Sequence, residues 1–135
     1  TAVAILNFAN GAMGVIEGTT SSYPGFFKKI EISGNSGSVV MEEENIVMWK
    51  FLEEHDGDET IRKEFSGKTK TGGGAADPKA IGYIGHKKQF INVFDAIENK
   101  GELLIDGNEA RKAVEIIEAI YLSSKEGRVV TLPLR

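Results

Sequence analysis

The chain has 135 residues, 41% hydrophobic and 27% charged, which is typical of one soluble globular domain. Its 16 basic and 20 acidic residues give a net charge of −4, which argues against a nucleic-acid surface. No apolar run approaches the ~20 residues of a membrane span. The absence of cysteine excludes disulfides, thiol catalysis and cysteine metal sites, and it fits a cytoplasmic location.

The first residues read as part of a strand. Thr1 opens the run T-A-V-A-I-L-N-F directly, without an initiator Met or the charged segment of a signal peptide. We therefore expect a domain of a longer protein, because a chain that begins on a buried strand leaves no room for a natural terminus. Processing or trimming of the chain end is the alternative.

The first half of the chain shows the period-2 alternation and short turns of antiparallel strands. Asn10-Gly11 marks a tight turn, since both residues tolerate a positive φ. Strands are expected over residues 2–8, 13–20, 27–33, 38–42 and 46–52, with one more possible over 60–65. Two polar loops are expected, an acidic one over 53–59 and a long one over 66–79.

The second half shows the 3.6-residue apolar period of helices. A first helix is predicted over residues 81–99 and ends before Gly101, which acts as its C-terminal stop. The apolar face of this helix consists of Phe90, Val93, Phe94 and Ile97. A second helix begins after Asp106, an N-cap residue with Glu109 three positions later, and Gly127 ends it. A short last strand is expected over 128–132.

This pattern predicts one α+β domain over residues 1–135. Its sheet is largely antiparallel and open-faced, with the two long helices packed on one face. The strand over 46–52 carries apolar residues at nearly every position. Because helices cover only one face, the open sheet face is expected to form the contact of a homo-oligomer.

Three motifs that suggest chemistry are incomplete. Ser66-Gly67-Lys68-Thr69 resembles the end of a phosphate-binding loop, but the glycine required five residues before Gly67 is Arg62. The acidic run over 56–59 lacks the glycine of a calcium loop, since Ile61 stands there. The two histidines lie far apart, neither has another histidine three or four residues away, and the chain has no cysteine, so a zinc site is not supported. No catalytic or cofactor-binding residue is assigned to this chain.

His86 is the most suggestive polar residue, because it lies at the start of the first long helix with Tyr83 three residues before it. Side chains at that position can project into a pocket. The alternative is a histidine at a helix start, bonded to nearby backbone or water. His55, in the acidic loop, is expected to be exposed.

A set of residues spread through the second half follows the order of a known family. The set comprises Gly85-His86, Gln89-Phe90, Phe94, Ala96-Ile97, Gly101, Asp106-Gly107, Glu109-Ala110, Ala113, Ile116-Ile117, Ala119-Ile120-Tyr121, Ser123 and Gly127. Asn10-Gly11-Ala12, Pro24-Gly25 and residues 30–38 agree in the first half. The chain resembles the C-terminal domain of the Gfo/Idh/MocA NAD(P)-dependent oxidoreductases, which include glucose-fructose oxidoreductase and inositol dehydrogenase.

The resemblance implies that an N-terminal Rossmann domain, absent here, binds NAD or NADP and supplies the catalytic residues. This chain would then bind no cofactor itself. It would form a wall of the pocket for a sugar- or cyclitol-like substrate, with Tyr83 and His86 as substrate-binding residues, and it would be inactive by itself. Its partners would be its own Rossmann domain and further copies, with no nucleic acid or membrane. A free-standing α+β module for ligand binding or dimerisation, without a cofactor, is the alternative.

Overall fold

The computed structural model describes residues 1–67 and 82–134. The elements in chain order are the strands β1 (Ala2–Asn7), β2 (Met13–Gly18), β3 (Lys29–Gly34), β4 (Gly37–Glu42) and β5 (Asn45–Phe51) and the helices α1 (Asp58–Phe65), α2 (Ile84–Asn99) and α3 (Gly107–Glu126). All strand pairs are antiparallel, which confirms the α+β class. The described strands form two sheets rather than one, with the orders β1-β2 and β3-β4-β5. The expected long loop lies mostly outside the described residues.

The chain divides into two compact units. The first comprises Thr1 and Thr19–Gly85, and the second comprises Ala2–Gly18 and His86–Arg135. The three-stranded sheet and α1 therefore belong to the first unit, and the β1-β2 hairpin, α2 from His86 onward and α3 belong to the second.

The β1-β2 hairpin closes through the predicted turn. Gly11 has a φ of 86°. Asn10 contributes through its side chain, whose Oδ1 accepts a hydrogen bond from the Ala12 amide at 3.0 Å. Alternation along the strands places one apolar set on the same face of the hairpin, namely Val3, Ile5, Met13 and Val15. All four side chains are exposed, so this face is left open to a covering surface.

The β4-β5 turn contains a strained residue. Glu43 has a φ of 53°, a left-handed conformation that costs a non-glycine residue about 1 kcal/mol or more. Its carboxylate accepts from the Lys28 amide at 3.1 Å and pairs with Lys28 Nζ at 3.1 Å. The Glu43 amide donates to the Lys28 carbonyl at 2.9 Å. These contacts with the residue just before β3 hold Glu43 in place and explain why the turn does not require glycine.

The sequence prediction of a strand over 60–65 is wrong, because residues 58–65 form α1. The helix begins with Asp58 and Glu59 and carries Arg62 and Lys63 in its last turn, which suits the helix dipole. Glu59 Oε1 and Lys63 Nζ pair at 3.0 Å, four residues apart. Such a pair stabilises a helix and has no counterpart in a strand.

The first long helix begins at Ile84 and ends at Asn99, close to its predicted bounds. The left-handed residue after it is Lys100, with a φ of 52°, rather than Gly101. A Cβ on Gly101 would lie 2.7 Å from Asp95 Oδ2, the end of an exposed side chain that can rotate away. Asn92 fixes the following connection, since its side chain bonds the Glu102 carbonyl and the Leu104 amide at 3.0 Å each.

Both predicted ends of α3 are confirmed. The Asp106 side chain accepts from the amides of Asn108 and Glu109 at 2.8 and 2.9 Å. Gly127 adopts a φ of 62°, and its amide donates to the Ser123 carbonyl at 2.9 Å. An N-cap of this kind stabilises a helix by about 1 kcal/mol.

The predicted last strand over 128–132 is not found, because residues 128–134 contain no strand. Side chains of α3 form hydrogen bonds with backbone groups of this segment instead. Ser123 Oγ donates to the Arg128 carbonyl at 2.7 Å, and Glu115 Oε1 accepts from the Leu134 amide at 2.6 Å. The chain end is therefore bonded to the helix rather than to a sheet.

Little apolar surface is enclosed. Within residues 1–67 and 82–134, Ala119 is the buried hydrophobic side chain, at 8% exposure. The predicted apolar stripe of α2 is exposed at Phe90, Val93, Phe94 and Ile97. Both units therefore present apolar surface that is free to meet another surface. None of the helices in the described part of the chain has the length and hydropathy needed to span a membrane.

Candidate functional site

The predicted site residues lie at the start of α2. Tyr83 is 74% exposed and directly precedes the helix, in the first unit. His86 is exposed and lies in the first turn of α2, in the second unit. Neither side chain has a hydrogen bond or ion pair to another residue of the described part. Both side chains are exposed, and their assignment to a substrate pocket stays a prediction.

The face of α2 that carries His86 is apolar. Phe90, Val93 and Ile97 follow His86 by four, seven and eleven residues, and these spacings place all four on one side of the helix. Phe90 stacks on Phe94, with ring centroids 6.4 Å apart and an interplanar angle of 26°. A surface that covers Phe90, Val93 and Ile97 would have the imidazole of His86 at the edge of the contact.

The beginning of α2 is cationic, since His86 is followed by Lys87 and Lys88 and no acidic residue occupies the first turn. Most helices place acidic residues there, because the helix dipole favours negative charge at its N-terminus. The charge at this end of α2 therefore suits electronegative groups of a ligand.

A second polar cluster joins β5 to α1 within the first unit. Asp58, the first residue of α1, is only 5% exposed. Its Oδ1 accepts from Trp49 Nε1 at 2.9 Å, and its Oδ2 accepts from the His55 amide at 2.9 Å. The Trp49 ring also meets Phe51 edge to face, at a centroid distance of 5.2 Å. Asp58 thus fixes the helix, its preceding connection and the strand to one another.

Arg62 makes the second link between the same elements. Its guanidinium binds both carboxylate oxygens of Glu54, at 3.1 and 2.7 Å. Its Nη1 also donates to the Trp49 carbonyl at 3.4 Å. The geometry with Glu54 is the two-pronged pairing that suits a planar guanidinium.

The hydrogen bonds of this cluster shift its titrations. The His55 amide, followed by the Trp49 indole, lowers the pKa of Asp58. The hydrogen bond from Lys63 lowers the pKa of Glu59, and the hydrogen bond to Glu54 raises the pKa of Arg62. All three groups are therefore held in their charged forms.

A shallow groove of about 380 Å³ runs between β5 and α1. Four consecutive strand residues form one side, namely Ile46, Val47, Met48 and Trp49. One face of the helix forms the other, through Glu59, Arg62, Lys63 and Ser66. We call this cleft the β5–α1 groove.

The junction from β5 to α1 does not fit a dinucleotide. A pyrophosphate binds where a glycine-rich turn leads a strand into a helix with exposed amides. Here the turn carries Glu53, Glu54 and Asp56, and the carboxylate of Asp58 takes the amide of His55. Anionic side chains would repel the phosphates. The described residues also contain no group of three or more side chains placed to hold a metal ion.

Sequence reasoning missed the cluster of Trp49, Asp58 and Arg62, because it allowed a further strand over residues 60–65 and did not predict α1. The acidic residues at 58–59, followed by basic residues at 62–63, were the available signal for a helix.

Comparison with known proteins bears on the chain as a whole. No curated protein and no solved structure matches it. A family model, described as the oxidoreductase family, C-terminal alpha/beta domain, matches residues 1–132. Since this match extends over nearly all 135 residues, the chain belongs to the Gfo/Idh/MocA oxidoreductase family, as its C-terminal domain.

Proposed function

We propose that this chain is the substrate-side domain of an NAD(P)-dependent oxidoreductase that transfers a hydride between the nicotinamide and a sugar- or cyclitol-like substrate. The observation that carries the proposal is the family match over residues 1–132. The β5-α1 junction agrees with it, because the carboxylates there would repel the phosphates of a dinucleotide. In this assignment the domain binds substrate and a separate domain binds the cofactor.

Tyr83 and His86 border the substrate pocket in this proposal. Support comes from the exposure of both side chains and from the absence of competing partners for them within the described residues. A hydroxyl and an imidazole suit a polyhydroxylated substrate, since each can both donate and accept a hydrogen bond.

In the intact oxidoreductase, His86→Ala is expected to lower kcat/KM by about tenfold or more, because one hydrogen bond to substrate is lost. The formation of reduced nicotinamide, followed by absorbance with a panel of sugars and cyclitols, provides the measurement. His55→Ala is the matched control, since His55 is also exposed and lies before α1 rather than at the start of α2. Equal kinetics for the His86 variant and the wild type would show that His86 does not border the pocket.

We further propose that the open face of the β1-β2 hairpin forms a contact between copies of the chain. An isolated two-stranded hairpin is marginal in water and needs a covering surface. The exposed side chains Val3, Ile5, Met13 and Val15 form the apolar part of such a face, and Asn7 and Glu17 flank the central Ile5–Val15 pair on the same side. Two copies of the same face can cover each other about a two-fold axis.

Ile5→Glu is expected to raise the dissociation constant of self-association by about tenfold or more, because it places a charge opposite Val15 in an apolar contact. Light scattering over a concentration series measures this constant. Ile32→Glu is the matched control, since Ile32 is equally exposed, at 65% against 69% for Ile5, and lies in the other sheet. A wild-type monomer at micromolar concentration contradicts the proposal. If Ile32→Glu weakens self-association and Ile5→Glu does not, the contact lies on the three-stranded sheet instead.

A further inference from the structure

The turn of the β1-β2 hairpin contains a chemically reactive pair of residues. Asn10 is the one asparagine of the 135-residue sequence that is followed by glycine. A backbone nitrogen can attack the side-chain carbonyl carbon of the asparagine before it, and a side chain on the attacking residue crowds this approach. Glycine lacks that side chain. Both residues are exposed, and a Cβ on Gly11 would meet no atom beyond its chain neighbours within 4 Å. Water therefore reaches the pair.

Two hydrogen bonds oppose this attack in the closed turn. The Gly11 amide donates to the Phe8 carbonyl at 2.9 Å, which retains the proton that the attacking nitrogen must lose. Asn10 Oδ1 accepts from the Ala12 amide at 3.0 Å, which fixes the position of the carboxamide. The reaction therefore depends on opening of the turn.

The β1-β2 hairpin has little support against such opening. Among the described strands, β1 and β2 pair only with each other, and an isolated two-stranded hairpin is marginal in water. Residues 7–13 are all exposed. The turn between β3 and β4 is better supported, since β5 pairs with β4 and the Leu52 amide donates to the Ser36 carbonyl at 2.8 Å. Asn35 lies in that turn and is exposed like Asn10, but Ser36 follows it.

We propose that Asn10 is a site of spontaneous deamidation, with the Gly11 nitrogen as nucleophile and the opening of the β1-β2 turn as the step that sets the rate. The nitrogen gives its proton to water and bonds to Asn10 Cγ, the Cγ–Nδ2 bond breaks, and ammonia leaves. Water then opens the resulting succinimide ring. Cleavage at Cγ leaves aspartate, and cleavage at the backbone carbonyl carbon leaves isoaspartate. One water is consumed and one ammonia released, with no oxidation or reduction.

The product changes the hairpin permanently. Either acid adds a negative charge to a turn whose residues 8–13 carry none. Isoaspartate also lengthens the main chain by one carbon between Phe8 and Ala12, and the Phe8 amide donates to the Ala12 carbonyl at 2.9 Å in the closed turn. The longer connection no longer matches this pairing.

The test follows the intact 135-residue chain during storage in mildly alkaline buffer. Trypsin first cuts after Lys28, so residues 1–28 form one peptide, and its fragmentation in a mass spectrometer locates the new acid. Asn10 is expected to convert about tenfold or more faster than Asn35, because Ser36 crowds the nitrogen and the three-stranded sheet resists opening. Unfolding in urea is expected to raise the rate at Asn10 by about tenfold or more, because both hydrogen bonds are then broken.

Ser36→Gly is the matched variant, since it places the same pair of residues in the turn of the three-stranded sheet. In this variant Asn35 should convert more slowly than Asn10 in the folded chain, and at the same rate in urea. The proposal is overturned if Asn10 keeps its amide in the folded chain while it converts in urea. Equal rates at Asn10 with and without urea, or equal folded-state rates at the two pairs, would also overturn it, because opening of the turn would then not set the rate.

Discussion

Replacing Gly37 with alanine is expected to lower the free energy of unfolding by about 1–3 kcal/mol. Gly37 is the first residue of β4 and pairs with Phe51 across the sheet. A Cβ there would lie 2.5 Å from the Lys50 carbonyl oxygen and would overlap the Phe51 ring. A backbone carbonyl in a paired strand has little room to retreat, so the hairpin must distort. Urea denaturation followed by circular dichroism measures the loss.

Gly34→Ala is the control for this change, because it has the same chemistry at the neighbouring turn. A Cβ on Gly34 would lie 3.8 Å from the Gly37 carbonyl oxygen, which is an ordinary contact. The double variant Gly37→Ala with Phe51→Ala removes the overlap with the Phe51 ring. It keeps the clash with the Lys50 carbonyl oxygen. Equal stability of the Gly37 and Gly34 variants would contradict the close approach at Gly37.

Asp58→Ala is expected to lower the melting temperature on the order of 5 °C or more, because it removes two hydrogen bonds at once. The Trp49 indole and the His55 amide would lose their acceptor at a site that is almost fully covered. Thermal unfolding followed by circular dichroism gives the shift. Asp56→Ala is the control, since Asp56 is exposed and no other described residue pairs with it. A similar melting temperature for both variants would show that Asp58 does not link β5 to α1.

The same carboxylate makes part of the stability depend on pH. Its hydrogen bonds hold the pKa of Asp58 in the folded chain below the value in the unfolded chain, about 3.9. The unfolded state therefore binds protons first as the pH falls. The contribution of Asp58 is present above pH ~4 and is lost as the pH falls from there through the folded-state pKa. The difference in melting temperature between wild type and Asp58→Ala should shrink over that window.

The elements that follow from local signals were predictable from the sequence. α3 is the clearest case, since Asp106, Glu109 and Gly127 act through backbone groups within a few residues. The turn at Asn10-Gly11 is of the same kind. Each signal is complete within its own segment, so no distant contact can reverse it.

The features that the sequence did not predict depend on contacts between segments. Glu43 adopts a left-handed conformation because Lys28, fifteen residues away, bonds its carboxylate and its amide. Residues 128–132 have strand-like composition, but Ser123 and Glu115 of α3 bond the segment that contains them. Trp49 and Asp58 meet across the connection from β5 to α1, nine residues apart. The proposed roles of Tyr83 and His86 depend on a substrate and on contacts beyond this chain.

The strand order bears on how quickly this chain can fold. Every described strand pairs only with its neighbour in sequence, and the turns between β3, β4 and β5 are two residues long. Closing such short loops carries a small entropic cost, and domains built from local pairings fold faster than those built from distant ones. Both sheets can therefore form from contacts between neighbouring segments alone. The apolar faces described above are exposed early, at the stage when newly made chains are most prone to associate wrongly.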